Sequence, residues 1–187
     1  MDSTFIIPIS ILVMLVLFVI VMYNGLIRKK NEVENAFGGM DVQLKKRYDL
    51  IPNLVSSVKQ YAKHEQETLT RVTELRTSAM QPNLSMNEKI TLDNKISDAM
   101  KGIMLTVESY PELKANENFI HLQKSLNEVE SQISAARRAF NAVVTDYNNG
   151  IQVFPNSIVA NMMGLKRKEV FVISQAEREN IDIDKLF

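Results

Sequence analysis

The chain opens with an apolar segment, residues 3–27, that contains no Asp, Glu, Lys, Arg or His and ends abruptly at Arg28-Lys29-Lys30. At about 1.5 Å per residue, the stretch from residue 5 to residue 23 would span roughly 28 Å as a helix, which matches the hydrocarbon core of a bilayer. We therefore expect residues 1–27 to form a transmembrane anchor.

A cleaved signal peptide is the alternative interpretation of this segment. A signal peptide carries basic residues before its apolar stretch and a small-residue cleavage site after it. The sequence instead has Met1-Asp2-Ser3-Thr4 before the stretch and Met22-Tyr23-Asn24-Gly25 after it, which favours retention as an anchor.

The basic triplet predicts the orientation of the anchor, because Lys and Arg beside a span favour the cytoplasmic side. The expected protein is a single-pass protein of the inner (cytoplasmic) membrane, with its N-terminus outside and its C-terminal domain in the cytoplasm. Tyr23, Arg28, Lys29 and Lys30 are the expected membrane-interface residues, and the lipid bilayer is the first expected partner.

The remaining residues, about 160, suffice for one folded domain with a core. The chain has 22 Lys and Arg against 22 Asp and Glu, so no overall field recruits nucleic acid or an acidic substrate. Lys45-Lys46-Arg47 lacks the aromatic platforms that RNA binding needs, and we expect no nucleic-acid partner. The absence of cysteine excludes disulfides and thiolate chemistry.

A helical stripe follows the basic triplet, with apolar residues mostly three or four positions apart. Its members are Val33, Phe37, Met40, Leu44, Tyr48, Ile51, Val55, Val58, Ala62, Leu69 and Val72. Gly38-Gly39 and Pro52 interrupt it, and proline is costly inside a helix. With Asp49 as N-cap, Pro52 would fall in a first turn, so a kink or restart is expected at 49–52. A plain bend of one long helix is equally compatible.

Three further helices are expected downstream. A capping box at Ser85 and Glu88 begins the second, which ends before Tyr110-Pro111. The third has the heptad spacing of a coiled-coil seam and is expected to end at Asn148-Asn149-Gly150. A short fourth helix is expected at 155–163. The residues of the seam are Phe119, Leu122, Leu126, Val129, Ile133, Ala136, Phe140, Val143 and Tyr147.

These elements predict an all-α fold, in which an N-terminal transmembrane helix precedes an elongated antiparallel bundle of three long helices plus a short fourth helix. The expected divisions are an anchor at 1–27, the long-helix bundle at 28–164 and a C-terminal tail at 165–187. Within the tail, residues 166–174 are basic and then apolar, which makes them a candidate second membrane contact.

Several segments together resemble the LemA family, in order and over nearly the whole chain. They are Tyr23-Asn24-Gly25-Leu26, the run from Asp41 to Val55, His64-Glu65, the run from Tyr110 to Phe119, Arg137-Arg138-Ala139-Phe140-Asn141 and Tyr147-Asn148. The resemblance implies a bacterial inner-membrane protein with one N-terminal span and a long-helix bundle. It brings no catalytic residue with it.

The residues indicate no catalytic, cofactor-binding or metal-binding site. His64-Glu65 lacks the second histidine that a zinc-protease helix needs, since Thr68 stands four positions on. His121 is the only other histidine, and an enzyme would need it to meet His64 with carboxylates. No glycine spacing matches a nucleotide loop. We therefore predict a protein that is not an enzyme and has no cofactor.

Two hypotheses for function remain. The leading one is a membrane-anchored helical scaffold that forms homo-oligomers or gathers partners at the cytoplasmic face. The alternative is an adaptor or regulatory module for a membrane enzyme or signalling protein, with a membrane-protein partner. The candidate partner-binding residues are Lys45, Lys46, Arg47, Tyr48, Asp49, Asn53, Arg137, Arg138, Asn141 and Asn148.

Overall fold

The computed structural model describes residues 3–62 and 65–171 of the 187-residue chain. All regular elements in these two ranges are helices, so the predicted all-α class is confirmed. They are α1 (Ser3–Tyr61), α2 (Gln66–Ala79), α3 (Met86–Val107), α4 (Pro111–Lys114), α5 (Glu117–Gln152) and α6 (Asn156–Met162).

The first helix, α1, runs without a break through Gly38-Gly39 and Pro52, so the expected restart at 49–52 is wrong. Pro52 has no N–H to donate to the carbonyl oxygen of Tyr48, four residues earlier. Arg76 of α2 replaces that donor, because its Nε–H donates to the Tyr48 oxygen over 2.7 Å. A side chain from another helix therefore satisfies the backbone group that proline leaves open.

The apolar stripe was expected to run along one helix as far as Val72, but α1 ends at Tyr61 and α2 begins at Gln66. The predicted start of the next helix is confirmed. Ser85 Oγ accepts from the backbone N–H of Glu88 over 3.3 Å, and Glu88 Oε2 accepts from the Ser85 N–H over 2.8 Å. The Ser85 hydroxyl also donates to Glu88 Oε2 over 2.7 Å, and this hydrogen bond, together with the one from the Ser85 N–H, lowers the pKa of Glu88.

The helix with the seam, α5, continues to Gln152, so its predicted end at Asn148-Asn149-Gly150 is wrong. Gly150 lies inside α5, against the side chain of Lys29, and does not end the helix. A Cβ atom there would lie 2.8 Å from Cδ of Lys29, so a larger residue would require the flexible end of that lysine side chain to shift. Two of the predicted seam positions shift by one residue, since the structure buries Arg137 and Val144 and leaves Ala136 and Val143 half-buried, while Phe140 and Tyr147 are buried as predicted.

The short fourth helix of the prediction corresponds to α6. Gly164 follows it with φ +66°, a left-handed conformation that glycine adopts without strain. The basic-then-apolar segment 166–174 is described only to Phe171, so residues 172–174 lie outside the described residues. Phe171 is 3% exposed and therefore buried.

The chain divides into two compact units, the first of which comprises Met1–Gly38 and Arg138–Val170. In this unit Lys29 of α1 pairs with Asp146 of α5, and the rings of Phe37 and Phe140 meet edge to face at 5.8 Å. The two helix segments therefore run in opposite directions. The side chains of residues 6–21 are exposed.

The second unit comprises Gly39–Arg137 and Phe171–Phe187. Asn116 at the start of α5 donates to the Tyr61 hydroxyl at the end of α1, and Arg47 pairs with Glu130, so these segments are also antiparallel. Helix α2 packs on α3. The core of this unit includes Met40, Leu44, Ile51 and Leu54 of α1, Ile96 and Ile103 of α3, and Phe119 and Ile133 of α5.

Candidate functional site

A cluster of buried charges lies inside the second unit and joins three helices. Its centre is Asp93 of α3, whose side chain is 0% exposed. Arg47 of α1 donates to Asp93 Oδ1, and Arg137 of α5 donates to Asp93 Oδ2 over 2.6 Å. We call Arg47, Asp93, Ser97, Glu130 and Arg137 the buried charge cluster.

Arg47 forms hydrogen bonds with Asp93, Ser97 and Glu130 of this cluster, and its side chain is 1% exposed. Its Nη1 donates to Ser97 Oγ and to Glu130 Oε2, both over 2.9 Å, and its Nη2 also donates to the Asp93 carbonyl oxygen over 3.3 Å. Burial lowers the pKa of Arg47, while the Glu130 carboxylate acts in the opposite direction. Two arginines and two carboxylates balance in charge.

Two aromatic residues complete the surroundings of the cluster. The Tyr48 hydroxyl lies 3.4 Å from Asp93 Oδ1, and burial raises the pKa of Tyr48 to about 12. The guanidinium carbon of Arg137 lies 4.3 Å from the centre of the Phe171 ring, a cation–π contact. Aromatic surface therefore shields part of the buried charge from water.

This arrangement is suited to fixing the helices in register. Both carboxylate oxygens of Asp93 accept hydrogen bonds from side chains of the same chain, so the group is already engaged as an acceptor. Removing one member of such a cluster leaves an uncompensated charge in the core. Because the cluster joins side chains of α1, α3 and α5, the position of each of these helices at this level depends on the other two.

The ten predicted partner-binding residues fall into two groups. Four are buried and contact the chain itself: Arg47, Tyr48, Arg137 and Asn148. Asn148 Nδ2 donates to the Lys168 carbonyl over 2.8 Å, and its Oδ1 accepts from the Lys168 N–H over 2.9 Å. Lys45, Lys46, Asp49, Asn53 and Arg138 are exposed, and Asn141 is half-buried.

The exposed group includes a stripe on α1, at Lys45, Asp49 and Asn53, spaced four residues apart and therefore on one face. Lys45 Nζ pairs with Asp49 Oδ2 at 2.8 Å. We call these three residues the α1 polar stripe.

The predicted membrane-interface residues lie on one stretch of α1. Tyr23 and Arg28 are exposed. Lys29 is half-buried against Asp146, and Lys30 lies 3.9 Å from Glu34.

The sequence reasoning missed Asp93, Ser97 and Glu130, although the sequence contained a signal. Arg47 lies seven residues after Met40 and seven before Leu54, so the heptad places it inside. Asp93 lies midway between Ile90 and Ile96 on the apolar face of α3. A cation and an anion that both fall on buried faces indicate a buried pair.

A groove of about 560 Å³ lies between the end of α1 and α2, with Val55, Ala62 and Leu69 among its apolar residues and Lys59 and Glu74 at its polar side. No group of three metal-ligating side chains occurs in the described residues. His121 is exposed, and His64 lies outside the described residues.

The model of the LemA family matches residues 36–184 of this chain. The chain belongs to the LemA family. The match includes all of the buried charge cluster, so the cluster lies within the part that defines this LemA-family protein.

Curated relatives are similar over most of their length. Protein LemA of Metamycoplasma hominis is 26% identical over 163 residues, which cover 87% of this chain and 74% of the relative. Magnetosome protein MamQ 2 of Paramagnetospirillum magneticum is 24% identical, with 88% and 70% covered. Magnetosome protein MamQ of Magnetospirillum gryphiswaldense is 23% identical, with 86% and 68% covered.

One helix among the described residues is long and apolar enough to cross a membrane, and it lies near the N-terminus. Together with the family membership, this helix indicates that the LemA-family protein is membrane-associated.

Proposed function

We propose that this protein is a non-enzymatic scaffold, anchored in the inner membrane by α1, that self-associates or gathers partners at the cytoplasmic face. The observation that carries the proposal is the continuity of α1. The same helix has exposed apolar side chains at residues 6–21 and enters the core of the second unit from Met40 onward. A helix shared in this way would link the helical domain to the bilayer.

The charges beside the anchor support the cytoplasmic orientation. Arg28, Lys29 and Lys30 follow the uncharged segment directly, and cations at this position favour the inner side. The antiparallel pairing of α1 and α5 in each unit supports a long-helix bundle above the membrane. Such a bundle has extensive lateral surface for homo-oligomers.

The mass of the full chain in nanodiscs or mild detergent tests self-association. We expect a particle that contains several copies, and its mass should fall on dilution toward one chain. A particle that contains a single copy at every working concentration would exclude the scaffold formed by self-association.

The α1 polar stripe favours the second candidate function, an adaptor for a membrane enzyme or signalling protein. Lys45, Asp49 and Asn53 present charge and amide groups on one solvent-facing side of a fixed helix. Crosslinkers at these positions should trap one dominant non-self protein if the adaptor function is correct. Crosslinks to other copies of the same chain would support the scaffold instead.

A further inference from the structure

The first unit exposes an apolar face that the anchor does not explain. Phe154 is 81% exposed, Ile158 55% and Met162 84%. Ile158 and Met162 lie one helical turn apart on α6 and Phe154 lies in the turn before it, while Val159 and Ala160 of the same helix are buried. We call Phe154, Ile158 and Met162 the α6 apolar face.

The contacts between α1 and α5 place this face at the membrane end of the unit. Gly150 lies against the side chain of Lys29, two residues beyond the uncharged segment. The end of α5 at Gln152 and the start of α6 follow within a few residues. Leu26, still inside the uncharged segment, is 1% exposed, so protein already covers α1 at that level.

A second basic triplet is held at the same end. The Tyr147 hydroxyl donates to the Lys166 carbonyl over 3.0 Å, and Asn148 binds the backbone of Lys168. Tyr147 and Asn148 lie on α5 immediately after Asp146, the partner of Lys29. The triplets 28–30 and 166–168 are therefore neighbours of the same α1–α5 contact, although they are far apart in sequence.

From this arrangement we infer that the α6 apolar face inserts into the interfacial layer of the bilayer, as a second membrane contact beside the α1 anchor. Exposed apolar side chains flanked by cations suit an anionic membrane surface, where the cations pair with lipid headgroups. Phe171, which follows the basic segment 166–168, is buried against Arg137 and is not available to lipid. The exposed apolar surface that accompanies this basic segment is therefore the α6 apolar face. The inference rests on the proposed anchoring of α1.

Single-cysteine labelling of the full chain tests this contact, because the chain has no cysteine of its own. Environment-sensitive probes are attached at Met162→Cys, at Met14→Cys in the anchor, and at Leu105→Cys on α3. Leu105 is 74% exposed and belongs to the second unit. The proteins are placed in nanodiscs of phosphatidylcholine and phosphatidylglycerol, with or without a lipid-attached quencher.

We expect blue-shifted, lipid-quenched emission from Met162→Cys and from Met14→Cys, and neither effect from Leu105→Cys. Quenching at Met14→Cys alone would overturn the α6 contact and leave the anchor in place. Absence of quenching at Met14→Cys would overturn the anchor and the α6 contact together. A concentration-dependent blue shift at Met162→Cys that the lipid quencher does not affect would assign the face to a second copy of the chain.

A charge variant supplies a second measurement. Phe154→Asp with Ile158→Asp, in the Met162→Cys protein, should abolish lipid quenching while the helical circular dichroism is kept, because both side chains are exposed. Val42→Asp is the matched control, since Val42 is 55% exposed and lies in the second unit. It should leave the quenching unchanged, and retained quenching in the double variant would contradict the inference.

Discussion

At the scale of single residues, the most consequential feature is Asp93, a carboxylate buried between two arginines. Substitution by alanine would leave Arg47 and Arg137 facing each other in the core. We expect Asp93→Ala to lower the free energy of unfolding by about 3 to 5 kcal/mol, the range for a buried pair that loses one partner. Denaturant unfolding of the full chain in detergent measures the change.

Asp98→Ala is the matched control, because Asp98 is an exposed residue of the same type on the same helix. Its effect should stay within about 1 kcal/mol, the range for the contacts of an exposed charged side chain. A combined Arg47→Met, Asp93→Leu and Arg137→Met variant should recover most of the loss, since apolar residues of similar volume can replace buried charges. Equal effects of Asp93→Ala and Asp98→Ala would contradict the role assigned to the cluster.

Tyr48 makes the stability depend on pH in the alkaline range. Its pKa is about 12 in the folded chain, against an ordinary value of 10.0. The unfolded chain therefore loses this proton first, so the contribution is fully present below pH 10 and is lost as the pH rises toward 12. Over this range the wild type should lose about 1 to 3 kcal/mol more than Tyr48→Phe. Unfolding curves at several pH values test this, and parallel profiles would refute it.

The sequence predicted the apolar core residues better than the charged ones. Met40, Leu44 and Ile51 were expected inside from their spacing and are buried. Arg47 and Asp93 were not expected inside, because a charged side chain normally faces solvent and is buried only when it is paired. For both residues the partner lies on another helix. The identity of that partner depends on how α1, α3 and α5 are aligned. The spacing of residues within one helix carries no information about this alignment.

At the scale of helices, Pro52 and Arg76 form a compensating pair. The Arg76 hydrogen bond to the Tyr48 carbonyl should matter most while proline occupies position 52. We expect Arg76→Met to cost about 1 to 3 kcal/mol in the wild type. In a Pro52→Ala background the new Ala N–H can serve the same carbonyl, so the cost should fall by about 1 kcal/mol or more.

A double-mutant cycle in chemical denaturant measures this coupling. Arg71→Met serves as the control, because Arg71 is exposed on the same helix as Arg76. It should show no coupling to position 52. If Arg76→Met costs the same in both backgrounds, the hydrogen bond does not compensate for the proline.

The helices were predicted well where local chemistry decides their ends, and less well where packing decides. The capping box at Ser85 and Glu88 is local, and its position is confirmed. Gly150 has the residue type of a terminator, yet α5 continues through it to Gln152, with the Lys29 side chain of α1 lying against it. Likewise, Pro52 is tolerated because of a donor that lies in α2. At both positions the departure from the pattern expected for glycine or proline accompanies a contact with a residue distant in sequence.

At the scale of the whole molecule, we expect the uncharged segment and the charges beside it to govern the orientation in the membrane. Arg28 and Lys30 adjoin the span, and replacing them with Gln while placing lysines at Ser3 and Thr4 reverses the charge bias across it. We expect this variant to invert, so that a C-terminal tag protected from protease in wild-type spheroplasts becomes accessible. Lys29 is kept because it also pairs with Asp146.

The matched control removes the same number of charges far from the span in sequence, through Lys166→Gln and Arg167→Gln. Since orientation follows the cations within about 15–20 residues of the span along the chain, this control should keep the tag protected even though residues 166–168 lie close to the triplet 28–30 in the folded protein. Accessibility of the tag in the wild type would place the helical domain outside the cytoplasm. If the tag stays protected from protease in the reversed variant, the folded domain, and not the basic triplet, sets the topology.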